Sequence, residues 1–335
     1  MGGNNSMKEE IVIIGGGLAG LSAAKTLAEK GKTPLLLEAG TYPSEKMCGE
    51  FFSPDAKPIL KKWGLLPAQE IQKVLFVINK KRYTFDLPSP AVTESRYSFD
   101  QRLAESAARS GANIRTGVKV GGLKDQTVTL DDGSVIESKH LIIGTGRVLG
   151  GGPPDFPYMG FKAHVEGVVT ENALEMHLVP GGYVGVSQVE KGVVNIAGIV
   201  KKECFTSPDQ YSALRVPNHV QWMVSPVPEF GIKTRSPHPN RFFVGDAAGT
   251  IPPICGGGLA MSLTAGQMAA EHLLNGKDGI AFAAAWNKRY QSRIKWGQRL
   301  QWTVMHPTGA AFLSMLVSSC PPLFRALFRL TRGKI

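Results

Sequence analysis

Three glycines and one glutamate near the start of the chain have the types and spacing of a dinucleotide-binding site. Gly15, Gly17 and Gly20 form a GxGxxG pattern, and Glu38 follows it. In such a pattern the first glycine permits a tight turn, the second lets the backbone approach a pyrophosphate, and the third lets a helix pack closely on a strand. An acidic side chain at the end of the next strand can accept hydrogen bonds from the hydroxyl groups of a ribose.

The surrounding sequence indicates the elements that must position these residues. The apolar run 11–14 predicts a strand buried on both faces, 21–30 predicts a helix rich in Ala and Leu, and 34–37 predicts a second strand. Leu18 and Ala19 lie where that helix starts, and free N–H groups at this end favour phosphates. A glycine-rich turn used only for packing is the alternative, but it does not account for the glutamate that ends the second strand.

A second motif lies near the far end of the chain. An apolar strand at 241–244 ends in Gly245 and Asp246, and the glycine run 256–258 precedes a helix of small and apolar residues at 259–274. Together with the first motif, this arrangement resembles the flavoprotein family that includes para-hydroxybenzoate-hydroxylase-like monooxygenases and geranylgeranyl reductases. We therefore expect a flavin to bind between the two motifs.

The resemblance implies that the cofactor is FAD. It implies that the carboxylate of Asp246 binds the ribityl chain of the flavin. It also implies that the backbone of Gly258, Leu259 and Ala260, at the start of the following helix, faces the N1/O2 edge of the flavin. Negative charge accumulates at that edge on reduction, and the positive end of a helix stabilises it.

Two further segments and one strand end match the same family. Arg96 opens a stretch that resembles the family's Arg-x-x-Phe-Asp-x-x-Leu, whose arginine reaches the flavin phosphate region. Cys48, Gly49 and Glu50 resemble the Cys-Gly-Gly or Cys-Gly-Glu loop of the reductase branch, which lies against the isoalloxazine. Val118 ends the strand whose backbone meets the adenine in the family. The resemblance thus covers nearly the whole chain, with its motifs in the family's order.

One departure from the family concerns the electron donor. Aromatic hydroxylases carry an Asp-Gly pair after a strand, whereas this chain has Thr145 followed by Gly146. The acidic residue takes part in NADPH binding in the hydroxylases, and this chain has no second strand-GxGxxG-helix unit. The donor therefore stays open between a transiently bound NAD(P)H and an electron-donor protein.

The resemblance implies an α/β fold in which an FAD-binding Rossmann-like domain of the GR2/PHBH type carries an inserted antiparallel-sheet substrate domain and a helical C-terminus. The predicted FAD domain comprises residues 8–70, 95–155 and 239–276, the substrate sheet comprises 71–94 and 156–238, and the helical segment comprises 277–335. Within the substrate sheet we predict antiparallel strands at 161–169, 173–179, 183–189 and 192–200, joined by 74–78 and 82–85. In the helical segment we predict helices at 280–295 and 299–320 and an amphipathic terminal stretch at 323–330.

The composition limits the kinds of binding partner and the cellular location that we expect. Thirty-eight Lys and Arg residues against 27 Asp and Glu give a net charge of +11, which favours an anionic partner. That partner could be a phosphate-bearing ligand, an acidic electron-donor protein or a negatively charged membrane surface. No nucleic-acid module is present, the four cysteines and seven histidines show no metal-ligand spacing, and no secretory leader is visible. We therefore expect no metal and no nucleic acid, and a cytoplasmic protein that is either free or peripheral at a membrane.

Three functions remain open on the sequence. The first is an FAD-dependent, geranylgeranyl-reductase-like enzyme that transfers hydride from flavin N5 to a lipophilic isoprenoid or polyketide substrate, with Cys48 as the candidate catalytic residue. The second is a flavin monooxygenase that hydroxylates an activated aromatic ring, and the third is a flavin-fold carrier that binds a lipid without chemistry. We expect Tyr183 and Trp222 to line the substrate cavity and Cys255 to lie near the isoalloxazine. For these three side chains and for Cys48, packing in the core is the ordinary alternative.

Overall fold

The structure is a computed structural model that describes residues 7–147, 156–168, 170, 172–214, 220–233, 235–306, 308, 309, 312 and 315. The strands are β1 (Met7–Ile14), β2 (Leu35–Glu38), β3 (Phe51–Phe52), β4 (Gln69–Ile78), β5 (Lys81–Thr93), β6 (Asn113–Thr116), β7 (Val120–Lys124), β8 (Thr127–Leu130), β9 (Val135–Ile143), β10 (Tyr158–Glu166), β11 (Ala173–Val179), β12 (Gly182–Glu190), β13 (Val193–Lys201), β14 (Met223–Val227), β15 (Gly231–Ile232), β16 (Arg241–Phe243) and β17 (Gly249–Thr250). The α-helices are α1 (Leu18–Ala28), α2 (Lys57–Lys62), α3 (Arg96–Arg109), α4 (Gly258–Leu274) and α5 (Gly279–Met305).

A seven-stranded sheet carries the glycine-rich turn. Its order is β6-β2-β1-β9-β8-β7, with β16 also paired to β9, and β1 pairs in parallel with both β2 and β9. Ile11 and Ile13 on β1 face the core that contains α1 and α4, whereas Val12 and Ile14 face the core on the opposite side of the sheet. The predicted strand buried on both faces is therefore confirmed, as parallel strands between two packed layers require.

Helix α1 begins directly after the turn and is enclosed by its neighbours. It starts at Leu18 rather than at position 21, because the turn leads into it without a linker. It packs against α3 and α4, and a Cβ on Gly266 of α4 would lie 2.0 Å from the carbonyl oxygen of Ala19. Only glycine allows α4 to approach α1 this closely, and the contact fixes the start of α1 relative to the late motif.

A second, eight-stranded sheet is built from two separate stretches of chain. Its order is β14-β10-β13-β12-β11-β4-β5-β3, so the predicted strands between 158 and 201 and the β4–β5 hairpin share one sheet. The prediction that these strands are all antiparallel is wrong at one position, because β11 pairs in parallel with β4. The parallel pair arises where the hairpin from the earlier stretch joins the edge of the later one.

The two faces of the second sheet have different cores. One face packs, through residues such as Met176 and Tyr183, against the end of α5. The other face has a separate cluster in which Trp222 lies edge-on to Phe161, with ring centroids 5.7 Å apart. The expectation that Trp222 lines the substrate cavity is therefore wrong, because its strand connection places it on the far side of the sheet.

Helix α5 runs without interruption from Gly279 to Met305, so the predicted break between positions 295 and 299 is wrong. Gly297, which lies between the two predicted helices, is a packing residue, because a Cβ there would lie 2.8 Å from the sulfur of Cys255. The predicted terminal stretch 323–330 and most of 307–320 lie outside the described residues. Among the helices that the structure describes, none is both long and apolar enough to cross a membrane.

Candidate functional site

An elongated cavity of about 820 Å³ runs from the glycine-rich turn to the end of α5. Both sheets contribute to its walls. It brings together most of the residues predicted from the two motifs and the two further segments, namely Gly15, Gly17, Leu18, Ala19, Glu38, Cys48, Gly49, Arg96, Val118, Asp246, Gly258 and Leu259. The remaining two predicted residues lie behind the wall: Gly20 packs against the carbonyl oxygen of Gly15, and Ala260 is buried in the core.

The polar end of the cavity is organised by Glu38. One carboxylate oxygen of Glu38 accepts a hydrogen bond from the backbone N–H of Gly16 at 2.6 Å, and the other accepts one from the N–H of Gly40 at 3.0 Å. The backbone N–H of Val118 donates to the carbonyl oxygen of Glu38 at 2.9 Å. The glutamate is thus fixed between the glycine-rich turn and the strand end that the sequence predicted to lie beside it.

Several features of this end fit FAD. A Cβ on Gly17 would meet no atom within 4 Å, so the N-terminus of α1 faces open space. The hydroxyl of Thr145 lines the same space and is buried without a hydrogen-bond partner in the described structure. Asp246 lines the cavity too, with its carboxylate 3.9 Å from Nε of Arg147. A helix N-terminus, an orphaned hydroxyl and a carboxylate facing one cavity are the groups that a bound dinucleotide would satisfy.

The Cys48 loop lines the cavity and is hydrogen-bonded to the second sheet. The side-chain amide of Asn195 on β13 donates a hydrogen bond to the carbonyl oxygen of Cys48 at 3.1 Å, and the backbone N–H of Glu50 donates to its sulfur at 3.3 Å. Burial raises the pKa of the Cys48 thiol, and the positive charge of the nearby Arg96 only partly opposes this effect. The thiol is therefore held in place and stays protonated at neutral pH.

Arg96 is oriented differently from the phosphate-binding role that the resemblance implies. Its Nε and Nη2 donate to the two carboxylate oxygens of Asp100, one turn later in α3, at 2.6 and 2.7 Å. The guanidinium lines the cavity in this orientation, close to the cysteine loop. A phosphate would have to compete with a bidentate carboxylate for it.

A buried cluster of charged groups underlies the cysteine loop. Glu50 is fully buried, and its carboxylate accepts hydrogen bonds from Nζ of Lys162 at 2.6 Å and from the backbone N–H of Arg96 at 2.8 Å. Nε2 of His164 lies 2.6 Å from its other oxygen. Lys162, itself only 2% exposed, also lies 2.6 Å from a carboxylate oxygen of Glu45. The cluster joins the cysteine loop, the start of α3 and β10.

The same cluster bears on the expectation that no metal binds. One ligand atom each from Glu45, Glu50 and His164 lie within 4.8 Å of one another, which is a spacing that could hold a metal ion. The ammonium of Lys162 lies between the two carboxylates and supplies the positive charge there. One of the two negative charges is thus balanced from within the chain, and the absence of a metal stays a prediction.

Sequence reasoning missed Lys162 and His164. They lie two residues apart on β10 and therefore point to the same face of the sheet. The one local signal is a lysine between Phe161 and Ala163 in a largely apolar strand. A charged residue in such a run indicates a buried partner, but nothing in the sequence identifies the partner as Glu50.

The far end of the cavity is apolar. Its walls come from β4, β5, β11 and β12 and from the last two turns of α5, through Val74, Phe76, Ile78, Tyr83, Phe85, Leu174, Met176, Leu178, Tyr183, Leu300 and Val304. Tyr183 lines the cavity as expected, and its hydroxyl donates to the side-chain carbonyl oxygen of Gln301 at 3.2 Å. Cys255 also lines the cavity, where its neighbours on α5 bury it.

Known structures and proteins share this architecture. A geranylgeranyl bacteriochlorophyll reductase-like protein from Thermoplasma acidophilum superposes with a TM-score of 0.77 at 19% identity, covering 94% of this chain and 93% of that one. A flavin-dependent brominase superposes with a TM-score of 0.76 at 18% identity, covering 97% and 93%. At these identities the likeness establishes the fold, and it confirms the predicted flavoprotein fold class.

Two relatives match in sequence along most of their length. A menaquinone reductase of Mycolicibacterium smegmatis is 26% identical over 331 residues, covering 83% of this chain and 79% of the relative. A digeranylgeranylglycerophospholipid reductase 2 of Methanothermobacter thermautotrophicus is 26% identical over 330 residues, covering 86% and 84%. The family model for pyridine nucleotide-disulphide oxidoreductases matches residues 9–187, more than half of the chain. The chain is therefore an FAD-dependent oxidoreductase that belongs to the pyridine nucleotide-disulphide oxidoreductase family.

Proposed function

We propose that the protein reduces a carbon–carbon double bond of a lipophilic, isoprenoid-type substrate. The observation that carries the proposal is that one cavity has a polar end that fits FAD and an apolar end, and that the Cys48 loop lines the same cavity. An apolar wall of Phe, Leu, Ile and Met side chains suits a hydrocarbon chain rather than a polar metabolite. The names of the two relatives, which are reductases of prenylated lipids, support the same substrate class.

The residues at the polar end have defined roles in this proposal. Bound FAD supplies the two electrons, as a hydride, to one carbon of the double bond. The N-terminus of α1 and Glu38 hold its adenosine half, Asp246 holds the ribityl chain, and the N-terminus of α4 at Gly258 stabilises negative charge on the flavin. The hydroxyl of Thr145 gains a hydrogen-bond partner. The electron donor that reduces the flavin is either NAD(P)H or a donor protein.

Cys48 has the properties of the proton donor that such a reduction needs. Addition of hydride to one carbon leaves the other carbon in need of a proton. Cys48 lines the cavity that holds both ends, and burial raises the pKa of its thiol and keeps it protonated. The thiol gives its proton to the second carbon, becomes a thiolate beside the Arg96 guanidinium, and regains a proton from water after product release.

The test is anaerobic and follows the flavin directly. The protein is photoreduced with FAD bound, mixed with menaquinone or with geranylgeranylated lipid dispersed in detergent, and followed by the return of visible flavin absorbance. We expect reoxidation without oxygen and a product that has gained two hydrogen atoms. In the C48A variant we expect reoxidation to slow by about 100-fold or more, with FAD still bound, because a positioned acid contributes on that scale. C204A, a cysteine outside the cavity lining, is the matched control.

Other outcomes would contradict the proposal. Reoxidation only by oxygen, with a hydroxylated aromatic product, identifies a monooxygenase. A protein that binds the lipid but never reoxidises on mixing is a carrier. If C48A reacts as fast as C204A, the proton comes from another group.

A further inference from the structure

The outer face of α5 carries a stripe of cations that ends in an exposed tryptophan. Lys288, Lys295, Arg299 and Trp302 are all exposed. At 100° per residue these four positions fall within an arc of about 60° on the helix surface. The buried side chains of the helix, such as Tyr290 and Ile294, lie on the opposite side.

The charge and the apolar content of this surface are both unusual for a solvated helix. From residue 279 to 305 the helix has five Lys and Arg residues and no Asp or Glu. The guanidinium of Arg299 lies 4.9 Å from the ring centroid of Trp296. The side chain of Trp302 is 65% exposed. The neighbouring loop contributes one exposed carboxylate, Glu229, so the surface stays strongly positive.

Two further exposed apolar side chains follow α5 in the sequence. Phe312 is 58% exposed and Met315 is 60% exposed, and together with Trp302 they form the group of most exposed large apolar side chains that the structure describes. Exposed apolar side chains scattered singly are ordinary, but three of them following a basic stripe are not. Aromatic rings beside Lys and Arg are the composition that binds at a membrane–water interface.

The inner face of the same turns lines the substrate cavity. Leu300 and Val304, which flank the exposed Trp302 in sequence, contribute to its apolar end. Only the thickness of one helix therefore separates the apolar end of the cavity from the exposed tryptophan.

We propose that the outer face of α5, from Lys288 to Trp302, docks on an anionic lipid bilayer. The cations bind the lipid phosphates, and Trp302 inserts at the level of the headgroups. The docked helix then places the apolar end of the cavity next to the hydrocarbon from which a prenylated substrate comes. This last step rests on the proposed function, whereas the docking itself does not.

Vesicle flotation tests the docking on the full chain with FAD bound. The vesicles contain either phosphatidylcholine alone or phosphatidylcholine with phosphatidylglycerol. We expect binding to the anionic vesicles only, and loss of that binding at high salt. We expect Arg299→Glu and Trp302→Ser each to reduce the bound fraction by about tenfold, from the loss of electrostatic attraction and of aromatic insertion.

Two matched variants control for charge and for apolar exposure. Lys62→Glu reverses a charge on α2, and Val224→Ser removes an exposed apolar side chain on β14. Both should bind vesicles as the unmodified protein does. The docking proposal is overturned if the α5 variants bind vesicles as well as these controls do, or if the unmodified protein does not bind anionic vesicles.

Turnover of detergent-dispersed lipid separates the two proposals. Variants of the α5 surface should keep this activity, since α5 faces the cavity only through its inner side. Loss of vesicle docking with intact turnover of the dispersed lipid supports the docking surface. Intact docking by a protein that never reduces the lipid contradicts the proposed function and leaves the surface standing.

Discussion

Replacing Lys162 by methionine is the sharpest test of the buried cluster under the cysteine loop. Methionine keeps an unbranched apolar stem of similar length but removes the ammonium. The carboxylate of Glu50 then loses a partner at 2.6 Å while remaining fully buried. Glu45 loses the same partner, but it is partly exposed and can be hydrated instead. The cost of the change therefore falls mainly on Glu50.

The expected magnitude follows from what remains around Glu50. Removing one partner of a buried ion pair costs about 3–5 kcal/mol of the free energy of unfolding. We expect about 3 kcal/mol for K162M, the lower end, because the backbone N–H of Arg96 and Nε2 of His164 still contact the carboxylate. E50Q removes the charge itself and leaves Lys162 paired with Glu45, so we expect a smaller loss of about 1–2 kcal/mol.

The double variant distinguishes a paired cluster from two independent side chains. In K162M/E50Q no unpaired carboxylate remains at position 50. The double variant should therefore lose less free energy of unfolding than the sum of the two single losses, by about 1 kcal/mol or more. Glutamine also preserves the backbone at position 50, where φ is +56° in the left-handed region. Replacing one non-glycine side chain by another of the same shape therefore leaves the backbone strain unchanged.

Urea unfolding of the FAD-bound protein measures all three losses. K57M is the matched control, because Lys57 pairs with Glu70 at 2.8 Å in a more exposed setting, and such pairs contribute at most about 1 kcal/mol. The reasoning is refuted if K162M costs no more than K57M, or if the double variant shows the plain sum. Either result would mean that Glu50 is hydrated or protonated in the native protein.

The same cluster predicts how stability depends on pH. Burial alone would raise the pKa of Glu50, but the His164 hydrogen bond and the Lys162 charge outweigh it and hold that pKa below its ordinary value. The pKa of Glu50 is therefore lower in the native protein than in the unfolded chain. The free energy of unfolding that its ionised carboxylate contributes is complete above the unfolded pKa, about 4.3, and is lost as the pH falls through the native pKa. When unfolding is measured from pH 6 downward, the free energy of unfolding should fall more steeply with pH in the unmodified protein than in E50Q. Parallel curves would contradict this assignment.

Three further changes probe the cofactor and substrate ends of the cavity. Asp246→Asn should weaken FAD binding by about tenfold or more in a fluorescence titration, because it removes the charge from the acceptor for the ribityl hydroxyls; unchanged affinity would remove Asp246 from the site. Gly20→Ala should lower the melting temperature sharply, since its Cβ would lie 1.9 Å from the carbonyl oxygen of Gly15, whereas Gly17→Ala meets open space and should mainly weaken FAD binding. Phe76→Arg should abolish turnover of the lipid while FAD stays bound, because it places a charge on the apolar wall; normal turnover would place the substrate elsewhere.

Local patterns predicted the strand, the turn and the helix at the polar end of the cavity, and the roles of the residues there in binding FAD stay predictions. The strand, the glycine-rich turn and the helix adjoin one another in sequence, and each glycine has a role that depends only on its immediate neighbours. Asp246 and Gly258 were found through the family resemblance, and the fold brings them to the same cavity. These residues could be predicted because short motifs fix their geometry.

Contacts between distant parts of the chain could not be predicted in the same way. Glu50 and Lys162 are 112 residues apart, and no periodicity links them. The predicted break in α5 is a second example, because Gly297 within that break serves the close approach to Cys255, which is far away in sequence. Sequence patterns report which side chain is unusual, but only the packing shows whether the reason is local or distant.

The parallel pairing of β4 with β11 has a consequence for how this enzyme can be engineered. The apolar wall of the cavity is assembled from three stretches, 69–93, 158–227 and the last turns of α5, and a large part of the nucleotide-binding layer lies between the first two in sequence. No single stretch carries that wall, so exchanging one segment cannot transfer it between relatives. A chimera that exchanges only 158–227 would join strands from two parents across the middle of the wall, and all three stretches must be exchanged together to transfer it intact.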